Sequence, residues 1–263
     1  MSKPSGAIDM TQGKPINLML RFALPMMIGS IFQSLYSMVD SAVLGRFVGS
    51  HALAAIGATT STTGLILLLA TGVTSAISIV LSQYVGANDT DRVRKGIVAS
   101  GWITLLLGVV LGLISVFAAR PLMQLLKTPE DVIDMSVLYI QIVCGCGIAQ
   151  FAYNAAASIL RALGDSKTPL YFLILCSILN VILDLISVIG LNMGVAGVAI
   201  ATVGSQAISA AICILVMFRK YPDLMPKRHT LRLDMPVSLK IFGMGAQMAL
   251  QSLFLSVGMM VIT

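Results

Sequence analysis

Two acidic side chains lie inside long apolar segments of this 263-residue chain. Asp40 stands in SLYSMVDSAVLG and Asp184 in SILNVILDLISVIG, whereas the other nine acids fall in or beside polar segments. If these segments span a membrane, a charge at their centre costs ~2.5–3.5 kcal/mol on insertion scales. An acid at that depth is protonated, paired, bound to an ion or in contact with water, so the first hypothesis is a functional site. The alternative is a structural carboxyl group that hydrogen-bonds a neighbouring helix.

Polar residues recur at helical spacing around both acids and on two further apolar segments. Asn180 precedes Asp184 by one helical turn, and Thr202 lies on the next segment. Positions three, four or seven residues apart share one face of a helix, so each segment carries one polar stripe. Stripes that converge would enclose a water-filled cavity inside a helical bundle. Besides the acids, the side chains that we assign to this cavity are Gln33, Tyr36, Ser37, Tyr139, Gln150, Asn154 and Gln206.

The chemistry open to such a cavity is the reversible binding of a small cation. Two carboxyl groups in one cavity repel each other when both are ionised, which favours proton uptake. The same pair, with the oxygens of Asn180 and Thr202, could instead hold a sodium ion. The sequence leaves both possibilities open.

No cofactor is predicted beyond the coupling ion. The two histidines, His51 and His229, fall in loops, and no metal site other than a possible sodium site at Asp40, Asn180, Asp184 and Thr202 is indicated. The chain has no G-x-x-x-x-G-K-[ST] phosphate loop and no nucleotide-binding glycine fingerprint.

The composition is that of a polytopic membrane protein. Apolar residues make up 57% of the chain, charged residues 11%, and the mean hydropathy is +0.94. Soluble domains carry about 25% charged residues, so these charges are too few to cover a soluble surface. The apolar residues form long runs instead of alternating with polar ones, which indicates helices and excludes an outer-membrane barrel. The four cysteines all lie in apolar runs and are expected to be free thiols.

Six apolar segments are long enough to span a bilayer. Arg120-Pro121 is expected to close the third, and Gly108-x-x-x-Gly112 within it is expected to permit close helix packing. Pro25 lies inside the first segment and predicts either a static kink or a bend operated by protonation. The predicted spans are 16–44, 52–84, 96–119, 132–160, 170–189 and 198–218, and a seventh run begins near Val237.

The loop charges predict a cytoplasmic N-terminus. Fourteen of the seventeen Lys and Arg residues fall on the side of the N-terminus, and Arg46, Arg120 and Lys127 fall on the other. This asymmetry is the usual orientation signal, so the net charge of +6 indicates a membrane surface and not nucleic-acid binding.

The order of the segments predicts one half of a duplicated transporter. We assign 1–218 to an N-terminal six-helix lobe, 219–236 to a cytoplasmic inter-lobe loop and 237–263 to the start of a second lobe. Gln251-Ser252-Leu253-Phe254 echoes Gln33-Ser34-Leu35-Tyr36, as expected for a repeat. The fold class expected is therefore an all-α membrane protein, with a truncated seventh helix and a C-terminal lobe that is missing from this sequence.

Four stretches of the chain resemble the multidrug and toxic compound extrusion (MATE) family, in its DinF-like branch. They are Leu24–Gly57, QYVGANDTDRVRK, ILRALGDSKTP and Asn180–Thr202. The resemblance implies a twelve-helix protein of the cell membrane that exchanges protons or sodium for organic cations and other drugs. It also implies that Asp40, Asn180, Asp184 and Thr202 form the cation-coupling cluster. Tyr139 and Asn154 would join that cluster from the fourth helix, and the first helix would bend as the cluster is protonated.

The predicted function is secondary antiport of an amphiphilic or cationic compound, without enzyme activity. The main alternative is a lipid-linked oligosaccharide flippase of the same broad fold, but flippases favour a basic cavity and the deep charges here are acidic. An intramembrane aspartyl protease would need a Gly-x-Gly-Asp context. Met38-Val39 precedes Asp40, and Ile182-Leu183 precedes Asp184. The partners expected are the small-molecule substrate, the lipid bilayer and the missing lobe.

Overall fold

The structure, a computed structural model, describes residues 15–226 and 233–262, with side chains described for 16–226 and 233–254. The N-terminal segment 1–14 and residues 227–232 of the predicted inter-lobe loop lie outside the described residues. The described chain is helical throughout and contains no strand, as predicted. The helices are α1 (Pro15–Phe47), α2 (Ser50–Gly86), α3 (Thr90–Leu125), α4 (Glu130–Gly145), α5 (Ile148–Ala162), α6 (Lys167–Leu185), α7 (Gly194–Lys220) and α8 (Met235–Ile262).

The predicted number of membrane spans before α8 is confirmed by helix length and composition. Helices α1, α2, α3 and α7 are each long and apolar enough to cross a bilayer, and so is α6 together with the π-helical turn Ile186–Gly190 that follows it. The sixth span is made by α4 and α5 together.

The fourth predicted span, 132–160, is wrong as a single helix. It is divided into α4 and α5, which meet at a 43° bend. Helix α3 approaches this break so closely that a Cβ on Gly112 would lie 2.9 Å from the carbonyl oxygen of Gly145. A Cβ on Gly108 would lie 3.0 Å from Cα of Ile148. The close packing predicted from Gly108 and Gly112 is therefore confirmed, and its partner is the bent span.

The predicted end of the third span at Arg120-Pro121 is also wrong. Helix α3 continues through Pro121 to Leu125. A proline inside a helix removes one backbone hydrogen bond and disfavours the helix locally, but it does not force the helix to end. Pro25 behaves similarly, because α1 passes through it as one continuous helix.

Helix α8 docks tightly against α2. A Cβ on Gly72 would lie 2.8 Å from the backbone nitrogen of Ala249, and a Cβ on Gly245 would lie 3.1 Å from Cα of Val73. Small residues on both helices thus bring the two backbones together, as is common between membrane helices. The run that we predicted as the start of a second lobe therefore packs against the first six spans.

A buried ion pair joins the α5–α6 turn to the end of α7. Asp165 is 1% exposed and lies 2.7 Å from Nζ of Lys220. It also accepts hydrogen bonds from the backbone nitrogen of Thr168 at 3.1 Å and from its hydroxyl at 2.6 Å. Burial alone would raise the pKa of Asp165, but these hydrogen bonds and the Lys220 charge together lower the pKa below its ordinary value.

Helix α6 holds the predicted site between two neighbours. It packs against α7 on one side and against α1 on the other. This arrangement lets side chains on α1, α6 and α7 meet. Helix α4 also packs against α7.

Candidate functional site

The two intramembrane acids meet in the structure. Asp40 of α1 and Asp184 of α6 lie within hydrogen-bonding reach of each other. Asp184 is 0% exposed, and Asp40 is half-buried. Because α1 and α6 are not adjacent in sequence, packing alone brings these carboxyl groups together.

Most of the oxygens of this acid pair are unsatisfied. Oδ1 of Asp40 and both carboxyl oxygens of Asp184 are buried and have no hydrogen-bond partner among the described residues. An ionised carboxylate can only accept hydrogen bonds, so two bare carboxylates cannot satisfy each other. A proton shared between them, or a bound cation, would remove this cost.

Asn180 and Thr202 extend the acid pair toward α7. Asn180 lies one turn before Asp184 on α6, and its Nδ2 donates to Oγ1 of Thr202 at 3.5 Å. Both residues are buried, and Oδ1 of Asn180 also has no partner within the described part of the chain. The four residues predicted for cation coupling therefore form two linked pairs, Asp40 with Asp184 and Asn180 with Thr202, on neighbouring turns of α6.

A cavity of about 190 Å³ opens onto Asp40. Four of the residues predicted from the sequence line it: Tyr36, Ser37 and Asp40 from α1 and Tyr139 from α4. Tyr36 and Tyr139 line the same cavity as Asp40. The cavity thus offers two aromatic rings, several hydroxyl groups and a carboxyl group, which suits an amphiphilic cation.

Helix α2 supplies lining residues that sequence reasoning missed. Thr59, Thr60 and Thr63 line the cavity from α2. Their signal was present in the segment ATTSTTG, where threonines recur three and four residues apart within an otherwise apolar run.

The remaining predicted cavity residues are not among those that line this space. Gln33 is exposed on α1, and Gln150, Asn154 and Gln206 are half-buried on α5 and α7. Their contribution to substrate binding stays a prediction, and so does the bending of α1 at Pro25.

A larger open cleft of about 440 Å³ lies beside the first turns of α2 and α4. His51 and Asp131 line it and form an exposed pair, with Nδ1 of His51 3.2 Å from Oδ2 of Asp131. It contains none of the predicted site residues, and we do not assign it to the site.

A helical bundle of six spans with two adjoining intramembrane carboxyl groups marks a candidate functional site, because acids at membrane depth are costly unless they are used or paired. The family model MatE matches residues 25–186, which is more than half of the chain. The chain therefore belongs to the MatE family and is a multi-pass membrane protein, which confirms the resemblance noted in the sequence.

The chain is similar to several bacterial proteins named for drug resistance or export. It is 31% identical over 264 residues to the probable multidrug resistance protein YpnP of Bacillus subtilis (strain 168), covering 96% of this chain and 59% of that protein. It is 23% identical to the multidrug export protein MepA of Staphylococcus saprophyticus, covering 91% of this chain and 53% of MepA. The chain thus spans about half the length of the curated relatives it matches, as expected for one lobe. These relatives give no support to the flippase alternative.

Solved structures share the fold. A MOP superfamily transporter from Pyrococcus furiosus superposes with a TM-score of 0.88 at 24% identity, over 98% of this chain and 57% of that one. A MATE protein in the straight conformation matches with a TM-score of 0.85 at 25% identity, over 98% of this chain and 57% of that one. A MATE protein in the bent conformation gives 0.86 at 25% identity, over 94% and 55%.

Proposed function

We propose that this chain provides the ion-coupling half of an antiporter that exports amphiphilic organic cations in exchange for protons. The observation that carries the proposal is the contact between Asp40 and Asp184, in which three of the four carboxyl oxygens are buried and lack a partner among the described residues. The names of the relatives, which refer to multidrug resistance and export, support the substrate class. The proposed role is transport and not catalysis, and no cofactor other than the coupling ion is proposed.

The acid pair couples the two ligands through charge. When the pair is ionised, it attracts a cationic substrate into the cavity beside Tyr36 and Tyr139. When a proton neutralises the pair, that attraction is lost and the substrate is released. A ligand shifts a conformational equilibrium only through its different affinity for the two states, and a change of charge in a buried pair supplies such a difference.

The driving force is sufficient for efflux against a gradient. One unit of pH difference supplies ~1.4 kcal/mol per proton. A membrane potential of about 100 mV adds ~2.3 kcal/mol for each net charge moved. A one-for-one exchange of a proton for a monovalent cation would use only the first of these.

Sodium is the second candidate for the coupling ion. The observation that favours it is the unpartnered Oδ1 of Asn180 beside the two carboxyl groups and Thr202. These oxygens are of the type that hard cations prefer. Protons remain our first proposal, because two adjoining carboxyl groups can be satisfied by one shared proton without further ligands.

Two further features belong to this proposal. The N-terminus and the α5–α6 turn face the cytoplasm of a bacterial cell, as the loop charges indicate. Protonation of the acid pair bends α1 near Pro25, so that the cavity closes around the site that the substrate has left. The support from the comparisons is that a MATE protein of the same fold has been solved in a straight and in a bent conformation.

The proposal predicts drug-driven proton movement by the full-length transporter. We expect that ethidium, added outside proteoliposomes with an acidic lumen and no sodium, will raise the luminal pH measured by a trapped dye. Protein-free liposomes with the same lipid and a clamped membrane potential are the control. Drug-dependent flux that appears only with sodium would favour the second candidate. No drug-dependent movement of either ion, with correctly inserted protein, would contradict antiport.

A further inference from the structure

A second row of polar side chains leads away from the acid pair along α7. Thr202, Ser205, Ser209 and Cys213 follow one another at intervals of three or four residues, so they share one face of the helix. All four are buried. The row therefore lies inside the bundle, where α7 packs against α5 and α6.

Side chains from α5 and α6 lie along this row between Thr202 and Cys213. Nδ2 of Asn180 donates to Thr202 next to the acid pair. One turn further on, the thiol of Cys176 lies beside Ser205 and Ser209. The hydroxyl of Tyr153 lies within electrostatic range of Cys176 and Cys213, and it donates to the carbonyl oxygen of Pro169 at 3.0 Å.

The row ends at the ion pair between the α5–α6 turn and α7. Cys213 lies about two helical turns before Lys220 on α7, within electrostatic range of Asp165 and Arg161. Asp165 accepts hydrogen bonds from Lys220 at 2.7 Å and from the hydroxyl of Tyr221 at 3.4 Å. The side chain of Lys220 is 23% exposed, so the ion pair reaches the surface. From Thr202 to Lys220, α7 rises by about 27 Å at 1.5 Å per residue, which is nearly the thickness of a bilayer core.

Several polar atoms of this row have no partner. Oδ1 of Asn180 is buried and makes no hydrogen bond to a described residue, and the buried hydroxyl of Ser209 has only the weakly hydrogen-bonding thiol of Cys176 beside it. The Ser166 hydroxyl, next to Asp165, is also without a partner there. A buried polar group without a hydrogen bond is costly, and such groups commonly bind ordered water. An interface used only for packing would not need hydroxyl groups at these positions.

We propose that this row is the route by which the proton leaves the acid pair for the cytoplasm. The inference rests on the proposed proton antiport and on the predicted orientation. The proton leaves the carboxyl group of Asp184, which becomes a carboxylate. Each hydroxyl or bound water along the row accepts one proton and passes on another, and bulk water beside Asp165 and Lys220 takes up the last.

The route is interrupted in the described conformation, as coupling requires. Ser205 donates to the backbone oxygen of Thr202 at 3.0 Å, and the hydroxyl of Ser209 has only the thiol of Cys176 beside it, so the two hydroxyl groups are not bonded to each other. The positive charges of Arg161 and Lys220 at the far end oppose the passage of a free proton. A permanently continuous row would dissipate the proton gradient, so conduction requires a conformation in which Ser205 and Ser209 turn toward each other through water.

Ser209 offers a matched pair of variants for the test. Valine and threonine have the same shape, but only threonine keeps a hydroxyl group at this position. In proteoliposomes containing the full-length transporter, we expect Ser209→Val to slow proton-coupled ethidium transport by about tenfold or more relative to Ser209→Thr. Exchange of ethidium for ethidium involves no net proton release and should proceed equally in both variants. A merely structural defect would slow both kinds of transport.

The outcomes separate this inference from the function on which it rests. Equal proton-coupled rates for Ser209→Val and Ser209→Thr, in a transporter whose wild type shows drug-driven proton flux, would overturn the route alone. Absence of that flux in the wild type would overturn the proposed function. If either branched side chain prevents folding, Ser209→Ala against the wild type gives the same comparison. An unchanged ratio of proton-coupled to exchange rates in Ser209→Ala would then overturn the route.

Discussion

Asp184→Asn in the full-length transporter is expected to abolish drug efflux while leaving the protein folded and in the membrane. Asp184 is 0% exposed and adjoins Asp40. Asparagine has nearly the same shape, but it cannot change its charge, so the pair can no longer exchange a proton for a cationic drug. We expect the efflux rate to fall about 100-fold, toward the background level. Ethidium accumulation in cells that lack other efflux systems would measure this loss.

Asp91→Asn is the matched control for that experiment. Asp91 lies in the first turn of α3 with a side chain that is 70% exposed, and its ion pair with Lys95 is at the surface. Exposed pairs of this kind contribute little, so the control should keep wild-type efflux. Normal ethidium resistance in cells expressing Asp184→Asn at wild-type abundance would contradict a coupling role for Asp184.

Lys220→Met is expected to destabilise the protein by about 3 kcal/mol at neutral pH, because it leaves a buried charge without its partner. Asp165 is 1% exposed, and Lys220 is the cation closest to it in the structure. The carboxylate would keep its bonds to Thr168 but lose its counter-charge. Thermal unfolding of the purified protein in detergent would measure the loss, and Lys95→Met, which removes an exposed ammonium group, should change stability far less.

The pH dependence of this effect has a definite sign. The pKa of Asp165 is lowered in the folded protein, against the effect of burial and because of Lys220 and Thr168. Its contribution to stability is therefore present above the ordinary pKa of aspartate and is lost as the pH falls through the lowered value. The wild type and Lys220→Met should thus converge in stability on acidification. A difference between the two that grows at low pH would contradict this account of the ion pair.

The acid pair could be predicted from the sequence because an acid inside an apolar segment implies a free-energy cost of insertion that must be offset. Asp40 and Asp184 stand in apolar segments, and only a partner or water makes that depth tolerable. The sequence does not show how α1 is rotated about its helix axis. This rotation determines that Asp40 faces Asp184. The same rotation leaves Gln33 exposed although it shares the polar stripe.

The failures concern helix ends and small polar residues. The bend between α4 and α5 falls at Gly145–Gly147, where Gly112 of α3 approaches closely, and hydropathy does not reveal it. Arg120-Pro121 predicts the end of the third span, yet α3 continues to Leu125 and tolerates the one backbone hydrogen bond that Pro121 removes. Thr59 and Thr63 recur at helical spacing and Ser209 continues the row on α7, but hydroxyl groups are common in membrane helices and gain meaning only from what they face.

The most direct test of the central claim is to measure the protons that drug binding releases from the purified full-length transporter. The claim is that the Asp40–Asp184 pair gives up a proton when a cationic drug binds. In weakly buffered detergent solution near neutral pH, addition of ethidium should acidify the wild-type sample in proportion to the drug bound. The variant carrying both Asp40→Asn and Asp184→Asn should show no such release. Drug binding to the wild type without proton release, in the absence and presence of sodium, or equal release from the double variant, would contradict the account.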